Sequence, residues 1–136
     1  MKIVKNTSYF DGKELKSLFC VIHNYIATKH KLGKLKGWKD LWICVAKKNK
    51  GRKHSGLAYL KHSGILYGNR VKGWSMYLSL NDQESINKII QLFGHELYHS
   101  YGYRHSEFPN KYTLFTDREL SEIKKKFGKD LNVRLA

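Results

Sequence analysis

The stretch GHELYHSYGYRHSEF, residues 94–108, contains three of the chain's seven histidines, at positions 95, 99 and 105. Apolar residues recur at helical spacing through the segment before it, so the sequence predicts one helix that leads into this stretch. Gly102 is the predicted end of that helix, because glycine readily adopts the left-handed conformation that follows a last helical turn. The helix is therefore expected to end between the second and the third histidine.

The predicted helix has two different faces. At about 100° per residue, His95 and His99 lie together on one face, and Glu96 lies between that face and the other. Two imidazoles one turn apart can bind the same metal ion, and Glu96 can reach a water molecule on that ion. Asn81 and Asp82 are both candidates for the N-cap. The opposite face is apolar and is expected to pack on a sheet through Ile86, Ile89, Ile90, Phe93 and Leu97.

A third metal ligand is expected beyond the end of the helix. A catalytic zinc ion takes three protein ligands and keeps one position open. A third histidine on the same straight helix would point away from the ion or lie too far along it. Gly102 allows a sharp turn, after which His105 can face the same ion. The sequence therefore predicts a metal site formed by His95, His99 and His105.

Residues 95–105 match the pattern HExxHxxGxxH at every specified position, and they resemble the zincin metallopeptidases, within them the metzincin type. The resemblance implies Zn²⁺ bound by the three histidines, and a zinc-bound water, activated by Glu96, that hydrolyses a peptide bond. It thus implies a zinc metalloendopeptidase, a hydrolase whose substrate is a protein or peptide. Glu96 is the implied catalytic residue.

The same resemblance implies a fold for residues 1–136, which are long enough for one domain with a single core. It implies a small zincin-like α+β domain. A twisted mixed sheet of about four strands packs on an N-terminal helix and on the HExxH helix, and a substrate cleft follows the edge strand of the sheet.

Local patterns place the elements of this fold. Asp11 is the predicted cap of the first helix, and Thr116 or Asp117 caps the last one. The segment GWSMYLSL is predicted to be a half-buried strand, because apolar and polar residues alternate along it. Predicted strands cover residues 2–6, 41–46, 57–62, 64–71 and 73–80, and predicted helices cover 11–30, 81–102 and 116–127. The predicted inner face of the first helix consists of Leu15, Leu18, Phe19, Ile22 and Ile26.

Two features depart from the metzincin type. Metzincins have a methionine turn beneath the metal, whereas this chain has no methionine after Met76, so the floor of its site must be built differently. The chain is also short for a metzincin. It has a more distant resemblance to SprT-like domains, which combine HExxH with a later histidine and often act near DNA.

Glu119 is a rival for the third metal ligand. It lies twenty residues beyond His99 on a predicted helix, which is the spacing and setting of the glutamate in gluzincins. His105 is favoured, because Gly102 has a geometric purpose only if His105 is the ligand. Otherwise Glu119 is a glutamate of a first helical turn, where it favours the helix dipole.

The chain is strongly basic, with 26 Lys and Arg against 11 Asp and Glu and a formal net charge of +15. Such a charge favours polyanions, so DNA or RNA is a predicted partner through basic patches at residues 28–40, 46–54 and 122–130. Aromatic residues do not alternate with these patches in an RNA-binding signature. The alternative is a solvated surface without a specific partner.

No long apolar run occurs near the N-terminus, so neither a signal peptide nor a membrane anchor is expected, and a cytoplasmic location is predicted. Cys20 and Cys44 lie in apolar surroundings and are predicted to be buried thiols. They lack CxxC spacing, which argues against a cysteine zinc site. Three of the histidines outside the motif, His23, His54 and His62, are predicted to be structural or surface residues.

Three function classes remain open. The first is a zinc-dependent peptidase, and the second is a nucleic-acid-associated protein of zincin fold whose main task is binding. The third is a toxin-like or virus-encoded accessory protein that cleaves one host target. Glu96 favours an enzyme, because a purely structural zinc ion needs no general base. Most of four tyrosines near the motif, Tyr98, Tyr101, Tyr103 and Tyr112, are expected to pack around the metal loop. The alternative is that one phenol donates to the oxyanion of a tetrahedral intermediate.

Overall fold

The protein is described here by a computed structural model, which covers residues 1–48, 56–58, 73–110 and 113–131. It is an α+β domain, as the sequence predicts. In chain order its elements are β1 (Lys2–Asn6), α1 (Gly12–Lys29), β2 (Trp42–Lys47), β3 (Gly56–Ala58), β4 (Met76–Leu80), α2 (Ile86–Tyr101) and α3 (Asp117–Phe127). Two short 3-10 turns, Trp38–Asp40 and His105–Glu107, lie in the connections.

The strands lie in the order β1-β2-β4-β3. β1, β2 and β4 run parallel, and the three-residue β3 pairs antiparallel with β4 at the edge. The predicted strand at 64–71, and all but the first residues of the one at 57–62, lie outside the described residues. The first helix connects two parallel neighbours, β1 and β2, as a crossover must.

The prediction that β4 is half-buried was wrong, because every residue of this strand is buried. Its serine, Ser79, lies between apolar residues but does not face water. Ser79 is 1% exposed. Just before the strand, the Ser75 hydroxyl lies 2.9 Å from Trp42 N and 3.2 Å from Trp42 O. Ser75 thus has partners in β2, whereas the buried Ser79 hydroxyl has no hydrogen-bond partner among the described residues.

The first helix forms as predicted. The Asp11 carboxylate accepts hydrogen bonds from the backbone N–H groups of Lys13 and Glu14, at 2.9 and 3.1 Å, and so caps the N-terminus. Phe19 stacks on Phe93 of α2 with ring centroids 4.1 Å apart, which joins the two helices in the core. The whole predicted inner face is buried: Leu15, Leu18, Phe19, Ile22 and Ile26.

The motif helix α2 has a later start than predicted. Its N-cap is Ser85, whose hydroxyl accepts from Lys88 N at 3.2 Å, and neither Asn81 nor Asp82. Asn81 instead begins a separate turn, in which its N–H donates to the Glu84 carboxylate at 2.9 Å. The predicted apolar stripe is buried at Ile89, Ile90, Phe93 and Leu97 and partly buried at Ile86.

The last helix, α3, begins after Thr116, as one of the two predicted caps requires. The Thr116 hydroxyl accepts from Glu119 N at 3.2 Å, and the Glu119 carboxylate accepts from Thr116 N at 3.0 Å. This reciprocal pair is a capping box. It gives Glu119 a structural task at the start of α3.

The cysteines differ from each other. Cys44 is buried in β2, but Cys20 is exposed, so its predicted burial was wrong. Cys20 follows the buried Phe19 and is turned by about 100° towards the solvent side of α1. Among the described residues, no helix is long and apolar enough to cross a membrane.

Candidate metal centre

The three motif histidines meet at one point. His105 Nε2 lies 3.0 Å from His95 Nε2 and 3.0 Å from His99 Nε2. Two nitrogens that bind one tetrahedral zinc ion at about 2.0–2.1 Å are separated by about 3.3 Å. The ligand atoms of the three histidines all lie within 4.8 Å of one another. Their spacing therefore suits a single small metal ion.

The backbone turn at Gly102 brings His105 back to the helix. Gly102 has a φ of 103°, and its N–H donates to His99 O at 2.9 Å. The next N–H, of Tyr103, donates to Tyr98 O at 3.1 Å, which closes the end of α2. A Cβ on Gly102 would meet nothing within 4 Å, so the backbone angle and not the space requires glycine here.

The ring of His99 is held in the tautomer that a ligand needs. Its Nδ1 lies 2.8 Å from Tyr103 O, a carbonyl oxygen that can only accept, so Nδ1 carries the hydrogen. Nε2 then keeps its lone pair and faces the other two imidazoles. Metal-bound histidines commonly donate their second ring nitrogen in this way.

His95 is suited to stay neutral. It is partly buried, and burial lowers its pKa to about 4, with a smaller contribution from the neighbouring His99 and His105. A neutral imidazole has a lone pair for a metal ion, whereas a protonated one has none. His95 can therefore act as a ligand at neutral pH without first losing a proton.

Glu96 lies on the same helix and is only 4% exposed. Within the described parts of the chain, no hydrogen-bond donor or cation pairs with its carboxylate. Burial raises the pKa of Glu96 to about 7. An unpaired buried carboxyl group costs stability, and such groups are concentrated at functional sites.

Glu119, the rival ligand, lies outside this group. Its Oε2 is 2.6 Å from His30 Nε2, and the other ring nitrogen of His30 contacts the Tyr98 hydroxyl. Sequence reasoning missed His30. Its partners are 68 and 89 residues away along the chain, so no local spacing could have indicated this contact.

The tyrosines near the motif have structural contacts. Tyr98 packs against the rings of Tyr101 and Tyr103, at centroid distances of 6.5 and 5.3 Å. The Tyr101 hydroxyl donates to Gly33 O at 2.7 Å. The expectation that tyrosines pack around the metal loop is confirmed for these three, and Tyr112 lies outside the described residues.

His23 is structural, as predicted. It is buried, its Nε2 accepts from Leu35 N at 3.0 Å, and its ring stacks on Trp38 with centroids 3.8 Å apart. Burial lowers the pKa of His23 to about 4, with a smaller effect of Lys34. The other two histidines with this prediction, at positions 54 and 62, lie outside the described residues.

Comparisons of the chain with protein-family models, with curated proteins and with solved structures find no match in any of the three. The function is therefore argued from the site itself. The site contains three converging imidazole nitrogens, a buried glutamate next to His95 in the sequence, and a turn that depends on one glycine.

Proposed function

We propose that the chain is a zinc-dependent metallopeptidase with a small zincin-like fold. The convergence of the Nε2 atoms of His95, His99 and His105 is the observation that carries the proposal. Among the described residues, the group has three nitrogen ligands and no fourth ligand, which is the donor set of catalytic zinc sites, whereas structural sites use four. His105 is the third ligand, and Glu119 acts elsewhere.

Glu96 is the general base in this proposal. When bound, zinc supplies Lewis acidity that polarises a peptide carbonyl and acidifies a water molecule. Glu96 takes the proton from the attacking water and returns it to the leaving nitrogen. Its burial limits the contact of the carboxylate with bulk water, and the absence of a described pairing partner leaves it free to take and release that proton.

The proposed place for a peptide substrate is the edge of the sheet. Among the described strands, β3 is the outermost on this side, and it pairs antiparallel with β4 and lies against α2, the motif helix. An extended peptide can add to a sheet edge through main-chain hydrogen bonds. We propose that the substrate lies along β3, beside the metal site, as a zincin-like fold requires.

The substitution Glu96→Gln tests the proposal. It should retain the zinc and the fold but lower peptide hydrolysis by about 10²–10⁴-fold, the usual value of general-base catalysis. Unfolded protein and DNA-bound protein are the trial substrates. A chelator should abolish wild-type cleavage, and added zinc should restore it.

Glu107→Gln is the matched control, because Glu107 is an exposed acid in the 3-10 turn that carries His105. Its Oε1 accepts a hydrogen bond from Arg104 N at 3.0 Å. Glutamine keeps that acceptor, so this variant should cleave like the wild type. Equal cleavage by wild type and Glu96→Gln would contradict the assigned base.

Nucleic acid is the partner that the charge supports. An open cavity of about 430 Å³ lies in the loop after α1, and three lysines line it within six residues: Lys34, Lys36 and Lys39. Trp38 lies among them. We propose that this basic loop binds the phosphates of DNA or RNA, which would place a peptidase near proteins on nucleic acid. The cytoplasmic location stays a prediction from the sequence.

A titration with a fluorescent oligonucleotide at low and moderate salt tests this partner. Replacing Lys34, Lys36 and Lys39 by glutamine should weaken binding and reduce its salt dependence. The control replaces Lys5, Lys13 and Lys88, three exposed lysines outside the predicted basic patches, and removes the same charge. Equal losses in both triple variants would mean that only net charge matters, and no binding at low salt would make the charge a solubility feature.

A further inference from the structure

Phe108 contacts all three histidines of the metal centre. Its ring centroid lies 5.0 Å from that of His95, 5.2 Å from that of His99 and 5.6 Å from that of His105. The three imidazole centroids are themselves 4.7–4.9 Å apart. The imidazoles thus form a nearly equilateral triangle, and Phe108 lies near its axis, on one side.

We propose that Phe108 is a positioning residue that closes one face of this histidine triangle and directs the open coordination position of the metal to the opposite face. The proposal rests on the metal site of the proposed function and does not require that the chain cleaves peptides. The metzincin resemblance calls for a methionine beneath the metal, which this chain lacks after Met76. Phe108 supplies an apolar surface against the ligands from a position three residues after the last of them.

The position of Phe108 is fixed by its neighbours. Its N–H donates to His105 O at 3.2 Å, which ties it to the turn that carries the third ligand. Its ring also packs on Tyr98, with centroids 5.3 Å apart, and the Tyr98 hydroxyl contacts His30. His30 in turn contacts Glu119 at 2.6 Å. A continuous series of contacts therefore links α1 and α3 to Phe108.

The geometry of the ring contacts suits this role. The ring of Phe108 is inclined at 75° to His95 and at 78° to His105, which are edge-to-face arrangements, and at 48° to His99. Aromatic pairs favour such inclined arrangements over face-to-face ones. Contact with all three rings limits their rotation, and the apolar shell around a metal controls solvent access.

Cobalt substitution tests the role of Phe108 through two quantities, the metal affinity of the site and the coordination number of the bound metal. Co²⁺ can replace Zn²⁺ in such sites, and its visible spectrum reports coordination number. Competition with a coloured chelator gives the affinity for Zn²⁺ and Co²⁺. The variants are Phe108→Ala, Phe108→Leu and the control Phe127→Ala, which removes the same atoms from a buried phenylalanine at the end of α3.

Phe108→Ala should weaken metal binding by about 10–100-fold, the loss usual for residues that orient metal ligands. Its cobalt spectrum should change towards a higher coordination number, because water gains the second face. Phe108→Leu should recover most of the affinity and the wild-type spectrum. Phe127→Ala should lower the melting temperature and leave both metal properties unchanged.

Wild-type affinity and spectrum in a folded Phe108→Ala would overturn the proposal, and so would equal losses in Phe108→Ala and Phe127→Ala. The same titration separates this failure from that of the proposed function. If the wild-type chain binds neither metal, both fail. If the wild type binds metal and Phe108→Ala binds it equally well, only the positioning role is lost.

Discussion

Two histidine clusters near α2 differ in kind. In the His30 cluster, both ring nitrogens of His30 have partners, the Tyr98 hydroxyl and the Glu119 carboxylate. In the metal centre, the Nε2 atom of His105 faces only the Nε2 atoms of His95 and His99, each at 3.0 Å. The first cluster is complete by itself, and the second is not.

The difference shows how a ligand histidine can be distinguished from a structural one. Two imidazole lone pairs at 3.0 Å repel each other, as do two N–H groups, and one shared proton relieves only one pair. A cation between the three nitrogens relieves all of them at once. Unsatisfied nitrogens that converge are therefore a stronger sign of a metal site than histidine spacing alone.

The largest expected effect is on zinc binding, and it distinguishes the metal centre from the His30 cluster. His105→Ala should weaken zinc binding by more than about 100-fold, because loss of a ligand exceeds the loss caused by residues that only orient ligands. Glu119→Gln should retain one zinc ion per chain, because Glu119 contacts His30 instead. Equilibrium dialysis with metal analysis measures both. The reverse result would make Glu119 the ligand, as in gluzincins.

A smaller effect, on stability, is expected from the close packing around Phe115, whose ring lies 5.7 Å from that of His30. A Cβ at Gly94 would lie 2.5 Å from Phe115 Cε2 and 2.7 Å from Leu114 Cδ2. Phe115 is 1% exposed, so its ring is packed in the core. Gly94→Ala should therefore lower the free energy of unfolding by about 2 kcal/mol, since overpacking outweighs the helix preference of alanine.

Urea unfolding of Gly94→Ala in two backgrounds checks this prediction. The cost should shrink when Phe115→Leu removes the opposing ring atoms, because contacting residues are coupled. An equal cost in both backgrounds would show that the ring is not the obstacle.

The smallest expected effect concerns His23, which has a structural role like His30. Its folded pKa, about 4, lies below its ordinary value of 6.5, so the unfolded chain binds the proton first as pH falls. The stability from neutral His23 is full above about pH 6.5 and is lost towards pH 4, by about 1–3 kcal/mol. His23→Phe should be less stable at neutral pH but should lack this part of the pH dependence.

Chemical unfolding of both proteins between pH 7 and pH 4 measures the difference between the two curves. Contributions shared by both proteins, such as those of His95 and Glu96, cancel in that difference. Parallel curves would mean that His23 is not held neutral by the fold.

Features encoded by neighbouring residues could be predicted from the sequence. The face of α1, the stop at Gly102 and the cap at Thr116 depend on spacing and on the properties of single residues. The meeting of the three histidines follows the same logic, because all lie within eleven consecutive residues. In each case the chain needs only a few adjacent dihedral angles to make the structure.

Features that depend on distant residues could not be predicted. The burial of Ser79 depends on the place of β4 in the sheet, and the contact of His30 with Glu119 joins opposite ends of the chain. The role of Phe108 was also missed, although it lies in the quoted stretch. Its ring has no polar group that would mark it as a candidate site residue in the sequence. Its proposed role follows only from its distances to the imidazoles.

The most direct test of the metal centre is a crystal structure of the zinc-loaded protein with anomalous data at the zinc edge. One peak is expected at about 2.0–2.1 Å from the Nε2 atoms of His95, His99 and His105. The open coordination position of the zinc ion should face away from Phe108. A peak between His30 and Glu119, or none at the three histidines, would contradict this account.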